Sequence, residues 1–109
     1  MLDDKTHFQD IKSKIKEFVD ARNWDKDHNP KNLSMSIAIE AAELMEIFQW
    51  NSIEEGWAIN KSDEYEHFKE ELADVLIYCI SLANQLDIDI TDAIYDKMGK
   101  NALRFPVCK

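Results

Sequence analysis

The stretch IAIEAAELMEIFQW, residues 37–50, decides the fold of this chain. Its apolar residues recur every three or four positions, which predicts an amphipathic helix. Two carboxylates, Glu40 and Glu43, interrupt the apolar run three residues apart. On a helix, positions i and i+3 share one face and lie about 4.5 Å apart along the axis. We therefore expect these two carboxylates to lie side by side.

A second acidic pair, Glu71 and Asp74, stands at the same spacing in EELADVLIYCI, residues 70–80. Neither pair has a Lys or Arg four residues away to neutralise it. Charges in apolar surroundings are costly unless a counter-charge lies between them. If the two helices face each other, four carboxylates converge on one space. Because hard cations take oxygen ligands, these two acidic doublets predict a Mg²⁺ site, with Mn²⁺ as the alternative.

Two other interpretations of the acidic positions stay open at this point. Glu residues on helices most often form a solvated face with partners four residues away. A di-iron carboxylate bundle is the second interpretation, and it requires two Glu-x-x-His motifs. Glu64 and His67 form one such motif, but no residue of the acidic doublets has a His three positions later.

The composition predicts one all-α domain covering residues 1–109. Gly and Pro occur only twice each, and the apolar residues recur at helical rather than alternating spacing. Hydrophobic residues make up 45% and charged residues 32%, which is typical of a folded chain and excludes a disordered one. A chain of 109 residues builds only a modest core, so we expect it to gain stability from oligomerisation.

Charge and hydropathy exclude several partners. The net charge of -9 argues against nucleic-acid binding, which needs clustered Lys and Arg. No stretch reaches the roughly 20 apolar residues of a membrane span, and the N-terminal MLDDKTHFQD is acidic and polar. We expect no membrane contact and a cytoplasmic location. Cys79 and Cys108 match no metal or redox spacing and are predicted to be free thiols.

Periodicity predicts four helices with short connections, the pattern of a small bundle. The first helix covers residues 6–21, with Thr6 and Gln9 as its capping box. The second covers residues 33–50 and is capped by Asn32 or Ser34.

The later helices are predicted from the same signals. Ser62 caps the third helix, which carries the second acidic doublet. The fourth begins near Thr91 and ends between residues 99 and 101, with Ile94 and Met98 facing inward. Residues 23–31 are predicted to form a loop, residues 51–61 a loop or short turn, and the closing LRFPVCK an extended segment.

The acidic doublets and their surroundings resemble a known family. Glu40-x-x-Glu43 followed by Glu71-x-x-Asp74 is similar to the EXXE…EXXD signature of the all-α nucleoside triphosphate pyrophosphohydrolases, the MazG-like group. RNWDKDHNPKNL, ELMEIFQW, EELADVLIY and KMGKNALRFP resemble, in order, segments of the dCTP pyrophosphatase branch of that group. The likeness covers most of residues 10–106, and it is specific because several segments agree at once.

This resemblance implies a four-helix fold assembled into a homodimer or a homotetramer built as a dimer of dimers. It implies hydrolysis of a (deoxy)nucleoside triphosphate to the monophosphate and pyrophosphate with Mg²⁺, the removal of unwanted nucleotides. The residues at the metal-site and catalytic positions are then Glu40, Glu43, Glu71 and Asp74. Which carboxylate acts as the general base is left open.

The same resemblance implies a substrate-binding set. Its members match aromatic and polar residues around the base and sugar: Trp24, His28, Trp50, Tyr78, Lys97 and Asn101. Tyr78 follows Asp74 by one helical turn, so both side chains line one cleft. Indole faces can stack on a nucleobase. The dCTP branch tends to carry a base-contacting His where this chain has Ile15, so the preferred base stays open.

Structural roles compete with some of these assignments. A Trp at a helix end, such as Trp50, often anchors a core or an interface. A loop His beside Pro, such as His28, is often a hydrogen-bonded structural residue. An alternative function also remains, a non-catalytic helical dimer that binds a nucleotide or a basic partner through its acidic groove.

Overall fold

The computed structural model describes residues 1–108, and Lys109, the last residue of the predicted extended segment, lies outside them. It contains five α-helices, α1 (Phe8–Ala21), α2 (Pro30–Phe48), α3 (Ile53–Trp57), α4 (Tyr65–Gln85) and α5 (Ile90–Arg104). Short 3₁₀ turns lie at Leu2–Asp4, Trp24–Lys26 and Ile59–Lys61. No β-strand occurs within residues 1–108, which confirms the all-α prediction.

The core lies where α4 packs along α2 and is crossed by α1. Its buried apolar residues are Val19, Leu33, Ile80 and Ala83. The rings of Phe48 and Phe68 close one end of the α2–α4 contact edge to face, with centroids 5.4 Å apart. This core is small, as expected for a chain of this length.

The helix starts differ from the predicted ones because other residues cap them. The backbone N–H of His7 donates to the Asp10 carboxylate at 3.2 Å, so α1 begins at Phe8 rather than at residue 6. The Asn29 side chain accepts from the Asn32 backbone N–H at 2.9 Å. Pro30 then occupies the first position of α2, where its missing N–H costs nothing.

The segment predicted as a loop or short turn contains the short helix α3. Its capping box is complete: the Ser52 hydroxyl accepts from the Glu55 backbone N–H, and the Glu55 carboxylate accepts from the Ser52 backbone N–H. This S-x-x-E pattern stabilises one helical turn. The bundle therefore has five helices rather than the predicted four. Ser62 does not cap α4, which begins at Tyr65, although its hydroxyl accepts from the Glu64 backbone N–H at 3.2 Å.

Helix α5 is longer than predicted and its apolar face is uncovered. Asp89 caps it through the Asp92 backbone N–H, and the helix continues through Gly99 to Arg104, so part of LRFPVCK is helical. Among the described residues α5 makes only marginal contact with the other helices. Ile94 and Met98 are 47% and 59% exposed, so the prediction that they face inward is wrong for a single chain.

Two further sequence predictions concern thiols and membranes. Cys79 is half-buried and Cys108 exposed, and both are free, as predicted. Within the described residues, none of the helices combines the length and apolarity needed to cross a bilayer.

Candidate active site

Three of the four predicted carboxylates converge. Glu40 and Glu43 of α2 and Glu71 of α4 each place a carboxylate oxygen within 4.8 Å of the other two. The helical spacing puts the first pair on one face of α2, and the packing of α2 along α4 brings Glu71 opposite. We call these three residues the acidic cluster.

The acidic cluster is electrostatically unsatisfied. Burial raises the pKa of Glu40 to about 7, and the neighbouring Glu71 and Glu43 carboxyls add to the rise. The Oε2 atoms of Glu40 and Glu71 are buried and have no hydrogen-bond partner among residues 1–108. Buried carboxylate oxygens without donors are costly, and an oxygen-only donor set suits a hard cation. The residues present therefore fit a Mg²⁺ or Mn²⁺ ion.

His67 borders the acidic cluster, although the sequence did not predict it to belong to the site. His67 Nδ1 lies 3.0 Å from Glu64 Oε2, and His67 Nε2 lies 3.5 Å from Glu71 Oε1. The hydrogen bond that the ring donates to the Glu64 carboxylate is the main reason that the pKa of His67 is raised. These three residues line an open cavity of about 600 Å³ together with Glu43, Glu46 and Ile47. The Glu64-x-x-His67 spacing could have pointed to this histidine, but from the sequence the motif was interpreted only as half of a di-iron site.

Asp74 lies outside the acidic cluster and lines a second cavity, between α1 and α4. This cavity has a volume of about 400 Å³, and we call it the aromatic cavity. Its lining residues are Lys14, Ile15, Phe18, Val19, Trp24, His28, Asp74, Ile77, Tyr78 and Ser81. Burial, followed by the charges of Glu40 and Asp74, raises the pKa of Tyr78. Tyr78 therefore lies close enough to Glu40 of the acidic cluster and to Asp74 of the aromatic cavity for both charges to disfavour its ionisation.

The wall of the aromatic cavity is a chain of rings. Trp24 meets Phe18 edge to face at 5.5 Å, His28 follows at 5.4 Å from Trp24, and the His28 and Tyr78 ring centroids are 6.0 Å apart. Asn23 adopts a left-handed backbone (φ 54°) where α1 ends, which turns Trp24 back onto Phe18. Asn tolerates this conformation better than most residues.

Two polar groups in this cavity are available to a ligand. His28 Nδ1 is buried and finds no hydrogen-bond partner within the described chain, which does not support a purely structural role for this histidine. Ser81 is only 5% exposed and also lines the cavity. Ser81 follows Tyr78 by three residues on α4, so the sequence could have predicted that the two residues share one helix face.

Three predicted substrate-binding residues are not brought to either cavity of this chain. Trp50 follows the end of α2 and is 87% exposed. Lys97 and Asn101 share one face of α5, which stands away from α2 and α4. Ile15, by contrast, does line the aromatic cavity and offers it no hydrogen bond.

Comparisons with known proteins agree with this architecture. The sequence model of the MazG-like family matches residues 35–109. The chain is 39% identical over 100 residues to dCTP pyrophosphatase 1 of Rattus norvegicus, and 37% identical over 102 residues to dCTP pyrophosphatase 1 of Homo sapiens. These alignments cover 91% and 90% of this chain but 59% and 58% of the relatives, so the chain spans about three fifths of their length.

A solved structure has a similar fold over most of the chain. The crystal structure of a pyrophosphatase from Archaeoglobus fulgidus DSM 4304 superposes with a TM-score of 0.84 at 42% identity, covering 94% of each chain. The sequence match and the structural likeness each extend over most of the chain. The chain therefore belongs to the MazG-like family.

Proposed function

We propose that this chain, as one domain covering residues 1–109, hydrolyses (deoxy)nucleoside triphosphates to the monophosphate and pyrophosphate in a Mg²⁺-dependent reaction. The observation that carries the proposal is the acidic cluster, in which Glu40 Oε2 and Glu71 Oε2 are buried without a hydrogen-bond partner in the described part of the chain. Asp74, three residues beyond Glu71 on α4, lines the ring-walled cavity. The names of the relatives, dCTP pyrophosphatase and pyrophosphatase, support the same reaction.

The metal would be held by the acidic cluster, and Mn²⁺ is the alternative ion. Asp74, which lies outside the cluster in this structure, would join the ligand set through a change of its side-chain rotamer. A divalent cation bound there neutralises phosphate oxygens and favours formation of hydroxide from water. The reaction breaks the bond between the α-phosphorus and the bridging oxygen. Water supplies the oxygen that the α-phosphate gains, its proton passes to one of the four carboxylates, and pyrophosphate leaves.

The aromatic cavity would hold the nucleobase. Stacking of a base on an aromatic side chain contributes about 1–3 kcal/mol and tolerates different bases. Trp24, His28 and Tyr78 supply the ring surfaces, and Asp74 lines the same cavity. The relatives make dCTP the first candidate substrate, and Ile15 gives the cavity an apolar position that can admit another deoxynucleotide.

We further propose that the enzyme works as a homodimer or homotetramer. Large apolar side chains remain exposed on three helices: Ile39 and Met45 of α2, Leu72 and Leu76 of α4, and Ile94 and Met98 of α5. Exposed apolar surfaces of this extent mark protein interfaces. In such an assembly we propose that Trp50, Lys97 and Asn101 are contributed to the cleft of the neighbouring copy. The cytoplasmic location stays a prediction.

A substrate panel tests the proposal. We expect wild-type protein to release pyrophosphate from dCTP, dTTP, dUTP or dATP with Mg²⁺ and to stop when EDTA is added. Nucleotide and Mg²⁺ together should raise the melting temperature, because ligands that bind only the native state stabilise it. A melting-temperature rise without any pyrophosphate would favour the non-catalytic binding alternative, and neither effect would reject both functions.

A further inference from the structure

The Glu64-x-x-His67 motif has no role in the proposed reaction, yet it contacts the acidic cluster. Glu64, His67 and Glu71 follow one another at spacings of three and four residues around the start of α4, so they share one face. The imidazole lies between the two carboxylates, 3.0 Å from Glu64 Oε2 on its Nδ1 side and 3.5 Å from Glu71 Oε1 on its Nε2 side.

The two oxygens of Glu71 have different surroundings. Oε1 faces the His67 ring, whereas Oε2 is buried without a hydrogen-bond partner in the described part of the chain. The Glu71 side chain is 13% exposed and the His67 side chain 54%. The ring therefore sits at the solvent edge of the carboxylate and leaves the inner oxygen free.

We propose that His67, anchored by Glu64, is a positioning residue that fixes the orientation of the Glu71 carboxylate for a divalent cation in the acidic cluster. The Glu64 contact fixes the ring plane, and the Nε2 edge of the ring, 3.5 Å from Oε1, limits the rotation of the Glu71 carboxyl group. Hydrogen bonds from outer residues to metal-ligating carboxylates orient the ligand, and losing one typically lowers metal affinity about 10–100-fold. This inference rests on the metal site of the proposed function.

A simpler role for His67 is a surface ion pair of little consequence, and the chain offers a matched control for it. Lys69 and Glu66 form such a pair on the same helix, with Nζ 2.8 Å from Oε1. Neither residue lines the cavity that His67 shares with Glu43 and Glu71. Lys69→Ala removes a contact of the same kind without touching the acidic cluster.

The test is Mn²⁺ binding, measured by titration calorimetry on nucleotide-free protein. We expect His67→Ala to weaken Mn²⁺ binding about tenfold or more, with Glu64→Gln weakening it less, since its amide oxygen still accepts from Nδ1. His67→Gln should recover part of the loss, because its side-chain amide can donate to Glu71. Lys69→Ala should bind Mn²⁺ like the wild type.

Activity gives a second readout. In His67→Ala the Mg²⁺ concentration for half-maximal rate should rise about tenfold, while kcat at saturating Mg²⁺ changes far less. Equal Mn²⁺ affinity in His67→Ala and wild type, with wild-type turnover intact, would overturn the positioning role and leave the proposed function standing. Absence of both Mn²⁺ binding and turnover in the wild type would overturn both. If His67→Ala does not fold, His67→Gln and Glu64→Gln against Lys69→Ala decide the question.

Discussion

The two sides of α4 differ in chemistry, because one carries carboxylates and the other aromatic rings. On the side facing α2, Glu71 lies beside Glu40 and Glu43, and the Oε2 atoms of Glu71 and Glu40 are buried without a hydrogen-bond partner among residues 1–108. On the side facing α1, Tyr78 and Ser81 line a cavity walled by Trp24 and His28. The first side fits a cation, whereas the second offers flat apolar surface and few hydrogen bonds. The acidic side should therefore control whether turnover occurs, and the aromatic side which nucleotide is used.

The largest expected effect comes from the acidic side. Glu71→Gln keeps the shape of the side chain but removes a charge from the cluster, so kcat should fall at least about 100-fold for every nucleotide. Steady-state kinetics with dCTP and dTTP measures it, and Glu17→Gln on the exposed face of α1 is the matched control. A loss confined to one base would contradict the division between the two sides.

Removing a ring from the aromatic side should weaken nucleotide binding more than it slows the chemical step. Trp24→Ala removes stacking worth about 1–3 kcal/mol, so KM should rise about tenfold with a smaller change in kcat. Trp57→Ala provides the control, because Trp57 is 84% exposed and lines neither cavity. A larger fall in kcat than rise in KM would place Trp24 with the reacting groups instead.

A polar group of the aromatic cavity should affect the choice of base. Ser81→Ala removes one hydroxyl, and a hydrogen bond contributes about 0.5–1.5 kcal/mol. The ratio of kcat/KM between dCTP and dTTP should therefore shift several-fold, with kcat on the better substrate largely kept. Ser36→Ala on α2 should leave the ratio unchanged. Parallel losses on both substrates would indicate that Ser81 only supports packing.

The smallest expected effect is the change of the melting temperature with pH. The raised pKa of Glu40, about 7, means that its protonated form is favoured in the folded state. This stabilisation is complete below the ordinary Glu pKa and is lost as pH rises through about 7. Metal-free protein should therefore melt a few degrees lower at pH 8 than near pH 5.

Two comparisons assign that pH dependence to the acidic cluster. Glu40→Gln should flatten the decrease in melting temperature, because its amide does not ionise. Mg²⁺ should raise the melting temperature more at pH 8 than near pH 5, since a cation favours the ionised carboxylates. An unchanged pH dependence in Glu40→Gln would assign it to other groups.

The acidic cluster was predictable because local rules determine it. Helical spacing places Glu40 beside Glu43, and their apolar flanks require the helix to pack against another. The start of α2 was missed because Asn29 with Pro30 is a stronger start signal than the Asn32 and Ser34 side chains. Pro at the first helical position is pre-organised for the helix.

Other features depend on contacts that one sequence does not specify. The apolar stripe of α5, with Ile94 and Met98, predicts burial but not the chain against which the helix is buried. The place of Asp74 depends on how α4 is rotated about its axis, which turns it toward α1 rather than into the acidic cluster. The role of His67 depends on the same rotation, because Glu71 must face α2 for the ring to reach its outer oxygen.

In the proposed reaction the acidic cluster directs water to the α-phosphorus of a nucleoside triphosphate. Turnover of dCTP in ¹⁸O-labelled water with Mg²⁺, followed by mass spectrometry of the products, tests it directly. We predict dCMP carrying one ¹⁸O atom and unlabelled pyrophosphate, with no turnover in Glu71→Gln. Label in pyrophosphate or orthophosphate would show attack at another phosphorus, and equal turnover by Glu71→Gln would show that the acidic cluster does not direct the water.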